Sequence, residues 1–238
     1  MTDSTTTQAP STTNTGSRRF TDRVQNVWER MKRRLLGQRR HASLSYRYFC
    51  KLLEREFSDM ERGTTLAISS LCREKQATNL ILFLGYSLAS ELNARVLLVD
   101  TSLRGEHSMS SLLGADQTGG YLQLISGDEV SDPQQYIRAT EVGGVSLLPS
   151  GLTGQSWRTI IDQKRLAGLL GDLSERFDFV IFQQGDISSD TRYMLLSEKA
   201  DMNFCLVEEN RTLMSDLDSC ERLYRENQIE DLKLLLIS

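Results

Sequence analysis

From Leu66 to Leu84 the residues follow the layout of a phosphate-binding loop. An apolar Leu-Ala-Ile-Ser-Ser strand pattern leads into the run Leu71-Cys-Arg-Glu-Lys-Gln-Ala-Thr78, and a long apolar helical stretch follows. A loop of the form G-x-x-x-x-G-K-[ST] holds a triphosphate for physical reasons. Its glycines admit close backbone approach, its Lys meets the phosphates and its hydroxyl anchors Mg²⁺. Here Ser70 stands at the first Gly, Lys75 at the second, Gln76 at the Lys and Ala77 at the hydroxyl. Side chains at Arg73 and Lys75 obstruct the positive φ and the close approach that glycine allows. Each missing electrostatic contact is worth on the order of 10²–10³ in rate, so their joint loss predicts no phosphoryl transfer. Ser70, Arg73, Lys75, Gln76, Ala77 and Thr78 are therefore read as positions of a vestigial nucleotide loop, with no catalytic residue assigned. The alternative is a loop in which Arg73 or Lys75 supplies a substitute cation and the backbone still holds nucleotide.

Asp100 closes a second apolar run, Val96-Leu-Leu-Val-Asp100. A carboxylate at a strand end serves as a base, as a helix cap, or as the ion-pair partner of a residue such as Arg104. His41 and His107 lie in unlike contexts, and Cys50, Cys72, Cys205 and Cys220 are scattered without a C-x-x-C pair. That spacing predicts reduced thiols and no metal site.

The elements that must position these residues are legible as periodicity. Strand patterns at 64–69, 95–99, 144–148, 179–183, 203–207 and 233–237 alternate with helical segments near 77–91, 107–113, 162–176, 190–198 and 212–227. Near-continuous apolar strands suit a parallel sheet buried on both faces. The alternation predicts a doubly wound α/β domain, mostly parallel, with helices on both faces and any ligand outside the carboxyl ends of the strands. This domain is expected over 44–238 and opens on a helical stretch near 44–61.

Ahead of it, residues 1–17 are rich in Ser, Thr, Asn and Gln and predict a disordered polar tail. Residues 18–43 predict a basic amphipathic helix and linker, because Phe20, Val24, Val27, Trp28, Met31 and Leu35 recur at helical spacing among arginines. Charge is unevenly shared. Residues 18–40 hold nine cations against two anions, whereas 41–238 hold 19 against 29. A +7 segment thus precedes a −10 body. It suits an anionic membrane surface, an acidic partner, or its own domain, and suits specific nucleic-acid recognition least. No run of 18 apolar residues exists, and the N-terminus has no apolar stretch of the secretory kind. A cytoplasmic location at the periphery of the inner membrane is expected.

The order of the motifs resembles the cytoplasmic kinase domain of bacterial tyrosine autokinases of capsule and exopolysaccharide assembly, deviant-Walker relatives of P-loop septum-positioning and partitioning ATPases. The resemblance runs from about residue 44 to the end. It rests on Val96-Leu-Leu-Val-Asp100-Thr-Ser-Leu-Arg104, Ser111-Leu-Leu-Gly114, Tyr121-Leu-Gln-Leu-Ile-Ser-Gly127, Leu147-Leu-Pro-Ser-Gly151 and Phe177-Asp-Phe-Val-Ile-Phe182. It implies a P-loop NTPase-like fold, and it places Asp100 in an Asp-x-Asp motif whose second carboxylate is here Ser102. It also makes Gln183 the residue at the third motif's Asp position, where the family's metal contact runs through water. The family's E-x-x-R-x-x-R ring-assembly segment is matched only loosely, by Ser45-Tyr46-Arg47 and Glu54-Arg55-Glu56, and its tyrosine-rich tail has no counterpart after Ile237. The resulting expectation is a catalytically degenerate, kinase-like scaffold or regulator in polysaccharide biosynthesis and export. Its partner would be the cytoplasmic part of an inner-membrane polysaccharide co-polymerase, and no cofactor is expected. The alternatives are an ATP- and Mg-dependent tyrosine autokinase of the same pathway and a ParA-like positioning protein.

Overall fold

A computed structural model describes Leu53, Arg55 and residues 62–102, 108–115, 118–126, 131–140, 142–151, 160–187 and 190–237. The expected tail 1–17 and basic segment 18–43 lie outside the described residues. Of the expected helix near 44–61, Leu53 and Arg55 are described, and both are helical.

Seven strands form one sheet: β1 (Thr64–Ser70), β2 (Val96–Asp100), β3 (Arg138–Ala139), β4 (Val145–Leu148), β5 (Phe179–Gln183), β6 (Met202–Glu208) and β7 (Leu232–Ile237). Their order is β3-β4-β2-β5-β1-β6-β7. Only β3 is antiparallel, paired with β4 through Arg138↔Leu147 and Ala139↔Ser146. Every residue of β1, β2 and β5 is buried, as expected for central strands covered on both faces. Strand alternation divides their side chains between two cores. Leu66, Ile68, Leu98, Ile181 and Phe204 lie in one core. Leu97, Val99, Val180, Phe182 and Cys205 lie in the other.

Helix α1 (Glu74–Leu92) covers the first core. It ends where Asn93 adopts φ 52°, a left-handed stop that Asn tolerates better than most residues. Gly85 lets it lie close on the sheet, since a Cβ there would come within 2.7 Å of Leu98 Cδ2. Short helices α2 (Met109–Leu113) and α3 (Tyr121–Ser126) follow β2. Helix α4 (Gln163–Arg176) buries Leu166, Leu169, Leu170 and Leu173, one stripe at helical spacing. Asp162 caps it, its side chain accepting from the amides of Lys164 (2.8 Å) and Arg165 (3.2 Å). Helices α5 (Tyr193–Ser197) and α6 (Met214–Glu226) pack over the second core with α3 and α4.

Two differences from the sequence reading stand out. Strand β3 has no expected counterpart, because two exposed residues, Arg138 and Ala139, carry no alternation to read. Helix α1 starts at Glu74, three residues before the expected position, and this reshapes the site.

Candidate functional site

The carboxyl ends of β1, β2 and β5 lie side by side, with Ser70, Asp100 and Gln183 at their last positions. Asp100 and Gln183 are register partners across β2 and β5. The expected motif positions therefore converge in space.

The loop between Ser70 and Glu74 comprises only Leu71, Cys72 and Arg73. Its entry is fixed by the Leu71 amide, which donates to Leu206 O at 2.9 Å. The amides of Gln76 and Ala77 both donate to the Arg73 carbonyl, at 2.8 and 3.0 Å. A phosphate cradle needs such amides free and turned toward the ligand; here they close the first helical turn. None of the residues 70–78 adopts positive φ, so the left-handed step that an anion nest requires is missing. Arg73 and Lys75 are exposed at the rim, and Arg73, at the N-cap, makes no side-chain capping bond.

The early helix start also rotates the loop's last residues. Ala77, aligned with the hydroxyl position, is 1% exposed in the first core. Thr78 instead brings a hydroxyl to the strand end. Its Oγ1 donates to Glu74 O at 2.9 Å and accepts from Gln183 Nε2 at 2.5 Å. Gln183 Oε1 accepts from the Met109 amide at 3.2 Å. That contact sets the amide's orientation, because a backbone N–H can only donate. Gln183 thus ties β5 to α1 and α2 with neutral groups, and it is 3% exposed. Where the resemblance implies a hydroxyl and a carboxylate around hydrated Mg²⁺, the hydroxyl and an amide bond each other directly. The residues present do not fit a magnesium–triphosphate: the amide brings no charge, and no space separates the pair.

Asp100 is fully buried. Its Oδ1 accepts from the Ser102 amide (3.0 Å) and its Oδ2 from the Ser110 amide (2.7 Å). Burial pushes its pKa up, and hydrogen bonds from Ser110, Ser102 and Ser108 only partly oppose that. The geometry is that of a cap holding the chain between β2 and α2. Arg104, the ion-pair partner considered from sequence, lies outside the described residues. Of the serines around this carboxylate, Ser102 is the motif position named from sequence, whereas Ser108 and Ser110 are not, although Ser108 before an apolar turn is a readable N-cap signal. Its Oγ accepts from the Ser111 amide at 3.1 Å. Ser150, at the end of β4, joins the cluster by donating its amide to Ser110 Oγ at 3.1 Å.

Behind the site Gln184, 1% exposed, donates to Tyr193 O (2.9 Å) and Ser197 Oγ (3.0 Å). Gln183 at the end of β5 and Gln184 just beyond it thus fasten opposite faces of the sheet. Among the described residues no group of His, Cys, Asp and Glu could hold a metal ion, and no helix is long and apolar enough to cross a membrane.

This mostly parallel sheet, with the crevice at its carboxyl ends and helices on both faces, has the P-loop NTPase-like fold that bacterial tyrosine-kinase domains share. The chain is related in sequence to tyrosine-protein kinase ptk of Acinetobacter johnsonii, with 26% identity over 132 residues, which cover 56% of this chain and 18% of that protein. It thus matches less than a fifth of that relative's length. No family model matches the chain. Among solved structures it is similar to the chimerical protein CapA2B2 (TM-score 0.67, 15% identity, 87% of this chain and 88% of that one). The kinase domain of Escherichia coli tyrosine kinase ETK gives TM-score 0.66 and 15% identity over 82% of this chain and 74% of that one. The cell division protein MinD of Aquifex aeolicus gives 0.55 and 16% over 73% and 68%. At these identities the structural matches establish the fold.

Proposed function

We propose that this chain is a catalytically silent, tyrosine-kinase-like scaffold or regulator of bacterial exopolysaccharide or capsule assembly and export. It works at the cytoplasmic face of the inner membrane, docked on the cytoplasmic part of a polysaccharide co-polymerase. The basic segment 18–40 adds attraction to an anionic surface, where each Lys or Arg contributes roughly 1 kcal/mol. The pathway follows from the kinship with tyrosine-kinase domains and the motif order. The silence follows from one observation: the loop that should cradle a triphosphate is wound into the first turn of α1, with the Gln76 and Ala77 amides bonded to Arg73 O. No ATP or Mg²⁺ is assigned to the site.

A working ATP-dependent tyrosine autokinase is the competing reading, favoured by the surviving Asp100 and the kinship with tyrosine-protein kinase ptk. Incubation of the full chain with labelled ATP and Mg²⁺ separates the two. The silent reading expects no phosphotyrosine and no calorimetric heat of ATP or ADP binding. Labelled tyrosine in the purified chain overturns it.

A further inference from the structure

Strand β7 ends the sheet, and its outer edge is paired with no described strand. Leu232, Leu234 and Leu236 share the face toward α6. Leu232 packs against the second core, but Leu234 is 43% and Leu236 69% exposed. Leu213 and Met214, at the start of α6, are 62% and 69% exposed. Between α6 and β7 lies a groove of about 720 Å³ with Ile229, Leu232 and Leu234 in its lining and Glu221, Arg225 and Glu230 among its charged residues. The segment 208–231, which supplies α6 and most of the lining, is acidic, with eight anions against three cations. Exposed apolar side chains on an edge strand ordinarily signal a bound partner. That acidic balance disfavours an anionic membrane as the partner.

We propose that the groove is the docking site of the chain's own basic segment, residues 18–40, in the same molecule. Three properties select it. Charge is complementary, +7 in the segment against −5 in 208–231. Length matches, since the apolar stripe from Phe20 to Leu35 would run ~22 Å as a helix, comparable to the ~20 Å of the 13-residue α6. Reach is generous, because the stretch from Arg40 to Leu53, which is anchored in the first core, extends to ~43 Å, more than the ~30 Å diameter of a small domain. Phe20, Val24, Trp28, Met31 and Leu35 would cover the leucines while the arginines meet Glu221 and Glu230. Docked there, the segment is withheld from a membrane surface. The proposal does not rest on the pathway reading above, but docking competes with the attraction of the same segment to an anionic surface, so membrane contact requires its release.

Trp28 reports the contact once Trp157→Phe makes it the sole tryptophan of the full chain. The expected result is blue-shifted Trp28 emission, protected from acrylamide, independent of protein concentration and weakened by salt. Leu234→Asp with Leu236→Asp should expose Trp28 and raise quenching several-fold, and so should Glu221→Lys with Glu230→Lys. Because Glu221 and Glu230 are exposed, the second pair tests docking without disturbing the core. Adding Arg30→Glu and Arg33→Glu to it should restore protection. A water-exposed Trp28 in the parent overturns the proposal, as does protection that survives both pairs of substitutions. Protection that appears only at high concentration assigns the groove to a second copy and overturns the intramolecular arrangement.

Discussion

Gln183 does the work of a fastener where the resemblance implies a metal-site carboxylate. Replacing it by Leu would strand the Met109 amide, which loses its 3.2 Å acceptor in a buried place. An orphaned buried donor costs ~1–3 kcal/mol, so Gln183→Leu should lower the unfolding free energy by that amount, read as a lower urea midpoint at an unchanged m-value. Two carboxylates should respond to pH with opposite sign. Asp100 has its pKa raised by burial. Its contribution is complete below the ordinary aspartate value and is lost as pH rises through the folded-state value. The stability difference between the parent and Asp100→Asn should therefore shrink as urea titrations move from pH 4 upward. Asp201 behaves otherwise. Burial pushes its pKa up, but bonds from Arg62 and Thr65 outweigh that and hold it low. Its Oδ2 accepts from Thr65 N at 2.8 Å and Thr65 Oγ1 at 2.6 Å. Its contribution is present above the ordinary aspartate value and lost as pH falls through the folded one. Asp201→Asn should cost stability at pH 7 and little at pH 3.

Among the elements, those with strong periodicity were legible: β1, β2, β5 and α4 fall within a residue or so of the spans read from sequence. Apolar runs buried on both faces and a Leu stripe behind an Asp cap leave few alternatives. The first turn of α1 was not legible. Glu-Lys-Gln-Ala are ordinary helix formers, but the loop template places them outside the helix, and the template was the wrong guide once its glycines had gone. For the same reason Ala77 was aligned with a hydroxyl that Thr78 supplies. Glycine contacts fix other junctions. A Cβ at Gly120 would lie 2.1 Å from Pro149 O and 2.8 Å from Gly151 N. Backbone atoms cannot yield as a flexible side chain can, so Gly120→Ala should destabilise by at least the ~1–3 kcal/mol of ordinary overpacking. Thermal melts of the variant and of a surface control such as Gly168→Ala, whose Cβ would meet nothing, check it.

At the scale of the molecule, the doubly wound architecture was readable because strand and helix patterns alternate along the chain. The antiparallel β3 edge was not, since pairing with β4 is decided by chain geometry and leaves no mark on two exposed residues. The relation between the charged segment 18–40 and the acidic body was readable as charge. The surface that complements it was not, because the exposure of Leu234 and Leu236 depends on β7 ending the sheet. Deleting residues 18–40 should leave the thermal transition of the α/β domain cooperative while abolishing any co-sedimentation of the full chain with phosphatidylglycerol vesicles. Unchanged co-sedimentation would place membrane contact elsewhere.

The winding of Glu74 to Ala77 into α1 bears on what restoring the phosphate-loop residues would do. Grafting Gly, Lys and Thr at 75–77 would restore the letters of the phosphate loop, yet the amides of 76 and 77 would still answer to Arg73 O and the backbone would still lack a left-handed step. The triple substitution is therefore expected to leave ATP calorimetrically invisible. On the silent reading proposed above, seating a triphosphate would require unwinding a helical turn and displacing the Thr78–Gln183 bond together, a barrier of conformation as much as of composition.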